Sequence, residues 1–200
     1  MIKQELAIIF AAYDIENALV TLGLIELFSG IALPSRVIVV ANSSVAYKEL
    51  YRHRSTYRNI IRGTNQDHEF SAWQEGLDFL GANKKMYENI VFVNDTLGRP
   101  GCHLGANELI LLMQFAHVNR QKPSAYGLVY DFNNLISCEI GGKALSCWMS
   151  TGLLMLNRSA LALLGYRINY TLELTRFISS EQNNCSVFSP EVDPNLARHI

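Results

Sequence analysis

Runs of consecutive apolar residues alternate with stretches of helical periodicity along the first half of the chain. The run Leu6–Tyr13 is apolar throughout, as expected of a strand buried on both faces of a sheet. The run Arg36–Ala41 is rich in β-branched residues, which favour strands. Polar or turn-forming residues separate these runs, so the pattern predicts strands over Leu6–Tyr13, Arg36–Ala41, Arg58–Arg62 and Asn89–Val93.

Apolar residues at helical spacing fill the intervals between these strands. Asp14 is placed to cap a helix that begins near Ile15, and Ser29-Gly30 predicts the end of that helix. Trp73 falls at a helical position among apolar residues, which predicts that it lies in the core. The helices predicted in this half cover residues 15–28, 44–53 and 68–80.

The second half of the chain continues the alternation. Asn133-Asn134 predicts a turn between two strands, and the apolar segment Trp148–Leu156 is interrupted at Gly152. Strands alternating with helices predict a single α/β domain over residues 1–200, with a mainly parallel sheet flanked by helices. The other elements predicted here are helices over 104–118, 158–164 and 171–179 and strands over 126–130 and 135–140.

Composition narrows the class of protein. The 200 residues are 49% hydrophobic, and 17 basic against 18 acidic residues give a net charge of −1, which argues against broad nucleic-acid binding. No apolar run approaches the roughly 20 residues of a membrane-spanning helix, and Asp14 and Glu16 directly follow the first run where a signal peptide would be cleaved. The sequence therefore predicts a cytoplasmic protein.

Several motifs of common chemistries are missing. The first strand is not followed by G-x-G-x-x-G, and the chain has no phosphate-binding G-x-x-x-x-G-K-[ST], no G-x-S-x-G and no H-E-x-x-H. The four cysteines form no C-x-x-C pair, which argues against a zinc site. These absences exclude the usual dinucleotide-binding, hydrolase and zinc-protease interpretations.

Polar residues follow each predicted strand of the first half. In open α/β sheets, ligands bind beyond the carboxyl ends of the strands, where the strand order reverses. Those ends are the places at which a binding site is expected. The polar groups are Tyr13-Asp14, Asn42-Ser43-Ser44, residues 63–69 and Asn94-Asp95-Thr96.

Four motifs occur in an order that resembles the glycosyltransferases of the GT-A fold. The segments around the second and fourth strands, VIVVANSS and NIVFVNDT, resemble the strand ends that hold a nucleotide sugar in that family. The "NDT" ending also resembles the rhamnan-synthesis and related bacterial polysaccharide glycosyltransferases. The resemblance covers roughly Leu6 to Gly165 and includes GTNQDHEFSAWQEGLDFL (Gly63–Leu80) and CWMSTGLLMLNRSALALLG (Cys147–Gly165).

The resemblance implies a GT-A-like, Rossmann-like fold and an inverting glycosyltransferase. Such an enzyme moves a sugar from a nucleotide-diphosphate donor to a glycan or lipid-linked acceptor in bacterial surface polysaccharide synthesis. It implies a donor half over residues 1–100 and an acceptor half over 101–200. The protein would be cytoplasmic, either free or peripheral at the inner face of the membrane. A non-catalytic GT-A-like binding or assembly domain is the alternative; the missing glycine-rich basic loop near the N-terminus disfavours a nucleotidyltransferase.

The same resemblance implies a donor site. Asp14 and Asn42 would face the nucleoside, and Asp95 would hold the diphosphate directly or through Mg²⁺ or Mn²⁺. The chain departs from the family pattern in two ways: Asn42 stands where many relatives carry an aspartate, and the strand end has one carboxylate in place of a pair. A metal-independent site that uses basic residues is the other interpretation. The implied donor residues are Asp14, Asn42, Asn65, Asp67, Ser71, Asn94, Asp95 and Arg99.

The resemblance of Cys147–Gly165 to the same family implies where the acceptor side and the catalytic base lie. Trp148, Ser150, Thr151 and Gly152 would border the sugar and the acceptor. In the similar family the base lies on a helix after the arginine-containing segment. Glu173 comes fifteen residues after Arg158 (173 − 158), and Asp131 and Glu181 are its rivals.

Each candidate also has a purely structural interpretation. Asp95 could cap a turn, Asp14 could cap a helix, and Asn65, Asp67 and Ser71 could belong to the start of a helix. A cluster of basic residues could be a solvated surface or could bind an anionic surface such as lipid headgroups. That cluster consists of Lys48, Arg52, Arg54, Arg58 and Arg62.

Overall fold

The computed structural model describes residues 6–32, 36–54, 57, 59–100, 122–131, 138–140, 143–145 and 147–169. Along the first half, β1 (Leu6–Ala12), α1 (Ile15–Ala32), β2 (Arg36–Ala41), α2 (Ser44–Arg52), β3 (Ile60–Arg62), α3 (His68–Leu80) and β4 (Asn89–Asn94) follow one another. Short 3₁₀ helices cover Gly81–Met86 and Asp95–Gly98. The second half contains β5 (Ala125–Asp131), β6 (Cys138–Ile140), β7 (Lys143–Leu145), β8 (Cys147–Asn157) and α4 (Arg158–Leu163).

A six-stranded sheet in the order β3-β2-β1-β4-β8-β5 carries the fold. The pairs β1–β2, β1–β4 and β2–β3 are parallel, and β8 joins β4 antiparallel. The predicted α/β class with a mainly parallel sheet flanked by helices is therefore confirmed. Because the chain moves outward from β1 to β3 and then returns to β4, the strand order reverses between β1 and β4, where ligands of such sheets bind.

Alternate residues of β1 face two separate cores. Ile8, Phe10 and Ala12 pack with α1 and α2 on one side of the sheet, and Ala7, Ile9 and Ala11 pack with α3 and α4 on the other. Such burial on both faces explains why the strands read as continuous apolar runs.

Trp73 on α3 lies in the second of these cores, as the sequence predicts, and it is fully buried. Its indole N–H donates to the Val93 carbonyl at 3.0 Å, which satisfies the polar atom of the ring. Gly76 lets α3 approach β1 closely, because a Cβ at this position would lie 2.3 Å from Cγ2 of Ile9. These contacts fix the start of α3 relative to the ends of the strands.

The chain divides into two compact units, Met1–Leu128 with Thr151–Asn169 and Val129–Ser150 with Tyr170–Ile200. The first unit contains β1 to β4 and α1 to α4. In the second unit, β6 pairs antiparallel with β7. The predicted donor and acceptor halves, 1–100 and 101–200, stay a prediction.

Some predicted boundaries are wrong. Gly152 does not interrupt the apolar segment around it, since β8 runs unbroken through that residue. Helix α1 continues through Ser29-Gly30 to Ala32, and the residues after β4 form a 3₁₀ turn for which the sequence pattern gives no prediction. The turn at Asn133-Asn134 and the helices predicted over 104–118 and 171–179 lie outside the described residues.

Candidate functional site

The carboxyl ends of β1, β2 and β4 meet at one edge of the sheet. In the parallel register, Ala12 pairs with Ala41 and Ala11 pairs with Asn94. The residues that follow these strands, Tyr13, Asn42 and Asp95, are therefore brought together, as the sequence predicts for polar strand ends. This carboxyl edge is the candidate site.

Asp95 is a buried carboxylate at the carboxyl edge, with 3% of its surface exposed. Its Oδ2 accepts hydrogen bonds from the backbone N–H groups of Tyr13 at 2.7 Å and Asp14 at 2.6 Å. The carboxylate therefore occupies the turn between β1 and α1, at the positive end of the α1 dipole. Its Oδ1 receives no hydrogen bond from any residue that the structure describes. Oδ2 is thus structural, and Oδ1 is uncommitted among the described residues.

Burial raises the pKa of Asp95 above its ordinary value of 3.8. The two backbone N–H groups and the Arg99 guanidinium act against this shift, and the neighbouring Asp14 carboxylate adds to it. Since burial is the largest of these influences, the ionised form is less stable in the folded protein than in water. A bound cation would favour the ionised form.

We expect the stability contributed by Asp95 to decrease as pH rises. A carboxyl whose pKa is raised by folding contributes fully below its unfolded pKa, and this contribution is lost as pH rises through the folded pKa. Urea unfolding of the protein and of Asp95→Asn from pH 3.5 upward measures the effect. The difference in free energy of unfolding should be greatest at the acid end, and a difference that grows with pH would contradict the assignment.

The 3₁₀ turn Asp95–Gly98 positions the carboxylate. Oδ1 of Asn94 accepts hydrogen bonds from the backbone N–H of Thr96 at 3.0 Å and from its hydroxyl, so Asn94 caps the turn. Gly98 lies directly against α1, because a Cβ there would stand 2.1 Å from the Asn17 carbonyl oxygen. The side chain of Asn94 is therefore used within its own turn.

Asn42 and Tyr13 form the second group at the carboxyl edge. The buried Asn42 amide donates from Nδ2 to the Tyr13 hydroxyl at 2.8 Å and to the His68 carbonyl at 3.0 Å. Among the residues that the structure describes, its Oδ1 has no hydrogen-bond partner; this oxygen is buried and faces Gly63, where a Cβ would lie 1.9 Å away. Burial raises the pKa of Tyr13 well above the usual range, so the phenol stays protonated. Asn42 links three loops and presents no free N–H to solvent.

The Tyr13 hydroxyl gives a measurable test of this group. Tyr13→Phe removes the acceptor of the Asn42 amide at 2.8 Å, which should lower the free energy of unfolding by about 1 kcal/mol. Urea denaturation measures the loss. Tyr47→Phe is the matched control, because the Tyr47 hydroxyl has no hydrogen-bond partner in the part of the chain that the structure describes. Equal losses in the two variants would refute the role of Tyr13.

The loop after β3 is held by α3. Glu75 accepts hydrogen bonds from the Thr64 N–H at 3.1 Å and from its hydroxyl. Asn65 is exposed and has a φ of 54°, a left-handed conformation that asparagine tolerates. Ser71 donates its hydroxyl to the His68 carbonyl at 2.9 Å, and Asp14 accepts from the Asn17 N–H at 2.9 Å as the cap of α1. Ser71 and Asp14 thus have the structural roles that the sequence left open.

Asp67 connects the carboxyl edge to the segment after α4. It stands at the start of α3 without a side-chain cap, and its Oδ2 accepts from Nδ2 of Asn169 at 2.8 Å. Gln74, on the same helix, accepts from the Ile168 N–H at 2.9 Å. The segment after α4 therefore lies along α3, and its residue Asn169 contacts Asp67 beside the candidate site.

The structure describes few contacts for the other predicted site residues. Arg99 is exposed at the end of the 3₁₀ turn. Gly152 is buried within β8, and Asp131 ends β5. Outside the described part lie Glu173 and Glu181 and the side chains of Trp148, Ser150, Thr151 and Asp131.

Sequence reasoning marked Tyr13 as a polar residue at a strand end, but it missed two other contributors to the edge, Glu75 and Asn169. Glu75 and Asn169 act through contacts with residues 11 and 102 positions away, for which the sequence carries no signal.

The described residues supply only part of a metal site. Among them, no group of three or more His, Cys, Asp or Glu side chains could hold a metal ion. Asp95 offers one carboxylate oxygen, and oxygen is the ligand that Mg²⁺ and Mn²⁺ prefer. Mg²⁺ in nucleotide sites is usually held by one or two carboxylates with phosphate oxygens and waters. The edge fits a cation that arrives with a phosphorylated ligand.

Comparison with known proteins finds a family match over a segment that includes Asn42 and Asp95. Residues 37–103, about a third of the chain, match the family of rhamnan synthesis protein F. A search of curated proteins found no match. Among solved structures, the chain is similar to a 4-diphosphocytidyl-2C-methyl-D-erythritol synthase from Anaerococcus prevotii DSM 20548, at 12% identity and a TM-score of 0.52, over 88% of this chain and 82% of that one. That likeness concerns the fold.

Proposed function

We propose that this protein is an inverting glycosyltransferase of the GT-A type. It moves a sugar from a nucleotide-diphosphate donor to a glycan or lipid-linked acceptor in surface polysaccharide synthesis. The observation that carries the proposal is Asp95, a buried carboxylate with one uncommitted oxygen at the carboxyl edge. The match to the rhamnan synthesis family covers this residue and supports the assignment to polysaccharide synthesis.

The donor occupies the edge between the ends of β1, β2 and β4. The nucleoside lies toward Tyr13 and the loop of residues 63–67, and the diphosphate lies toward Asp95 and Arg99. Asn42 would shape the nucleoside part of the site without contacting the nucleoside, since its amide donates to the Tyr13 hydroxyl and the His68 carbonyl. Asn94 likewise acts by shaping the turn that carries Asp95.

A divalent cation completes the diphosphate site in this proposal. Oδ1 of Asp95 and the donor's phosphate oxygens would hold it, and when bound it neutralises the charge of the leaving diphosphate. Without a cation, the buried carboxylate would repel the diphosphate. Asp95 therefore makes donor binding dependent on Mg²⁺ or Mn²⁺.

A carboxylate must remove the proton from the acceptor hydroxyl as its oxygen attacks the anomeric carbon and the bond to the diphosphate breaks. We propose Glu173 for this role. Glu173 comes fifteen residues after Arg158, which is roughly where the base falls in the similar glycosyltransferases. Turnover of Glu173→Gln, Asp131→Asn and Glu181→Gln identifies the base, because loss of the base lowers turnover and leaves donor binding intact.

Calorimetric titration with UDP, GDP, CDP, ADP and dTDP, each with and without Mn²⁺, tests the donor site. Binding of at least one nucleotide that strengthens with Mn²⁺ is the expected result. If the folded protein binds none of them, the donor-site proposal fails. Titration with nucleoside monophosphates is the control, because they lack the second phosphate with which a cation would bridge to Asp95.

A non-catalytic nucleotide-sugar-binding domain is the second candidate. The observation that favours it is that Asp95 serves the fold through Oδ2 and offers a single oxygen for chemistry. Slow hydrolysis of the bound donor separates the two candidates, since an active transferase can pass the sugar to water. Donor binding without any hydrolysis or transfer would favour the binding domain.

A further inference from the structure

Helices α1 and α2 lie side by side in one layer on the same side of the sheet. The core beneath this layer contains Ala18 and Leu22 of α1. It also contains Ala46 and Leu50 of α2. Each helix connects two parallel strands, so the two helices run in the same direction across the sheet. The sides of both helices that lie opposite this core form one surface, which we call the outer face of α1 and α2.

The α1 part of the outer face is a stripe that is both aliphatic and acidic. Glu16, Leu19 and Val20 are three and four residues apart, and Glu26 and Leu27 follow seven residues after Leu19 and Val20, so all five lie on one side of the helix. Leu19, Val20 and Leu27 are 44%, 54% and 59% exposed. No helix that the structure describes, α1 included, is long and apolar enough to cross a bilayer. Adjacent exposed aliphatic side chains mark an interaction surface.

The α2 part of the outer face is basic. Lys48 and Arg52 are exposed on α2, and Arg54 is exposed directly after it. Glu49 accepts two hydrogen bonds from Arg52, each at 2.7 Å, so these two charges offset each other within the helix. Val45 of the same helix is 63% exposed, and the α2 part therefore offers aliphatic surface as well as positive charge.

The two parts of the outer face carry opposite charges of equal size. Helix α1 contains two carboxylates and no cation, whereas α2 with the two residues after it contains three cations against one carboxylate. Glu26 is hydrogen-bonded to the Tyr57 hydroxyl. Glu16, Lys48 and Arg54 form no ion pair within the part of the chain that the structure describes. These opposite charges are not used inside one copy, and a surface that carries the same pattern would complement them.

We propose that the outer face of α1 and α2 binds a second copy of this chain in a two-fold dimer. When the two-fold axis runs along the helices, between α1 and α2, α1 of each copy lies on α2 of the other. The acidic stripe of one copy then meets the basic helix of its partner twice, by symmetry, and the aliphatic side chains are buried between them. An anionic lipid surface would be repelled by the α1 part, so the charges favour a second copy. The proposal does not rest on the proposed function.

Sedimentation velocity of the protein from micromolar to submillimolar concentration tests the dimer. A dimer is expected, and added salt should weaken it, because exposed ion pairs are screened. Leu27→Gln should weaken association about a hundredfold, at about tenfold for each of the two leucine side chains removed from the interface. A protein that stays monomeric over the whole concentration range would overturn the proposal.

Charge reversal followed by mixing identifies the interface. Glu16→Lys with Glu26→Lys makes both parts of the outer face positive, and Lys48→Glu with Arg54→Glu makes both parts negative. Each double variant should associate about a hundredfold more weakly, at about threefold for each of the four reversed charges in a dimer. An equimolar mixture of the two should form a mixed dimer, because each positive helix then meets a negative one. Absence of the mixed dimer would show that this face is not the interface.

Lys84→Glu with Lys85→Glu is the matched control. It reverses two positive charges in the 3₁₀ helix after α3, on the other side of the sheet, and should leave the dimer intact. If this control dissociates the dimer as strongly as Lys48→Glu with Arg54→Glu, association follows net charge and the proposal is wrong. Circular dichroism checks that each variant is folded, and recovery of a mixed dimer from two monomeric variants shows independently that both keep their fold.

Discussion

Asp95→Ala should unfold at clearly lower urea concentration and should lose Mn²⁺-dependent nucleotide binding. The substitution removes the acceptor of two backbone N–H groups, at 2.6 and 2.7 Å, in a buried position. Hydrogen bonds to a charged partner are strong and unsatisfied donors are unfavourable, so we expect a loss of about 3 kcal/mol in the free energy of unfolding. Urea denaturation and calorimetric titration measure the two effects.

Asp95→Asn separates the two roles of the carboxylate. The amide oxygen can still accept from Tyr13 and Asp14, so most of the stability should remain, whereas an uncharged group is a poor ligand for Mn²⁺. Nucleotide binding with Mn²⁺ should weaken by at least the roughly tenfold to hundredfold loss that follows removal of groups supporting metal ligands. Glu16→Gln controls for the loss of one exposed acidic charge nearby. Retained binding in Asp95→Asn would show that Asp95 only caps the turn.

Gly98→Ala should destabilise the protein by about 3 kcal/mol, as expected of an overpacked contact that neither side can relieve. The new Cβ would lie 2.1 Å from the Asn17 carbonyl oxygen and 2.9 Å from Oγ1 of Thr21. The nearest atom belongs to the backbone of α1, so the turn Asp95–Gly98 must move instead. That movement draws Asp95 away from Tyr13 and Asp14, and nucleotide binding should fall together with stability.

Gly23→Ala is the matched control for this prediction. Gly23 lies in α1, and a Cβ there meets nothing within 4 Å, so alanine should stabilise the helix by about 0.5–1 kcal/mol. Urea denaturation of both variants gives the comparison. If Gly98→Ala is as stable as the unsubstituted protein, the close contact between the turn and α1 is not a constraint on the site.

The strand pattern of the first half could be predicted because the parallel strands are buried on both faces. The order of polar strand ends also predicted that Asn42 and Asp95 would meet at one edge, since parallel register brings them there. The 3₁₀ turn after β4 was not predicted, because it depends on Asn94 capping and on α1 at Gly98. The predicted break at Gly152 was wrong, because the pairing of β8 with β4 outweighs the weak strand preference of glycine.

The uses of the polar side chains could not be predicted from their positions. A sequence shows that Asn42 follows a strand, but not that its amide is used by Tyr13 and His68. The contact of Asp67 with Asn169 joins residues 102 positions apart, beyond any local pattern. The candidate donor residues therefore divide into Asp95, which keeps one carboxylate oxygen uncommitted among the described residues, and those whose side chains shape the loops around it.

The carboxylate of Asp95 is an anion that the chain supplies to itself. In folds that bind phosphate at the first β–α turn, the N–H groups of that turn are left open by glycines. Here Asp95 fills the equivalent place on Tyr13 and Asp14, and, being tethered, it competes at a high effective concentration against free phosphate or sulfate. A chain that places its own carboxylate on this turn does not need glycines to open the turn to phosphate, and the sequence has no such glycine motif there. Inorganic phosphate should therefore not bind at this turn, and under the proposed function a donor's diphosphate would approach only together with a cation that offsets the charge of Asp95.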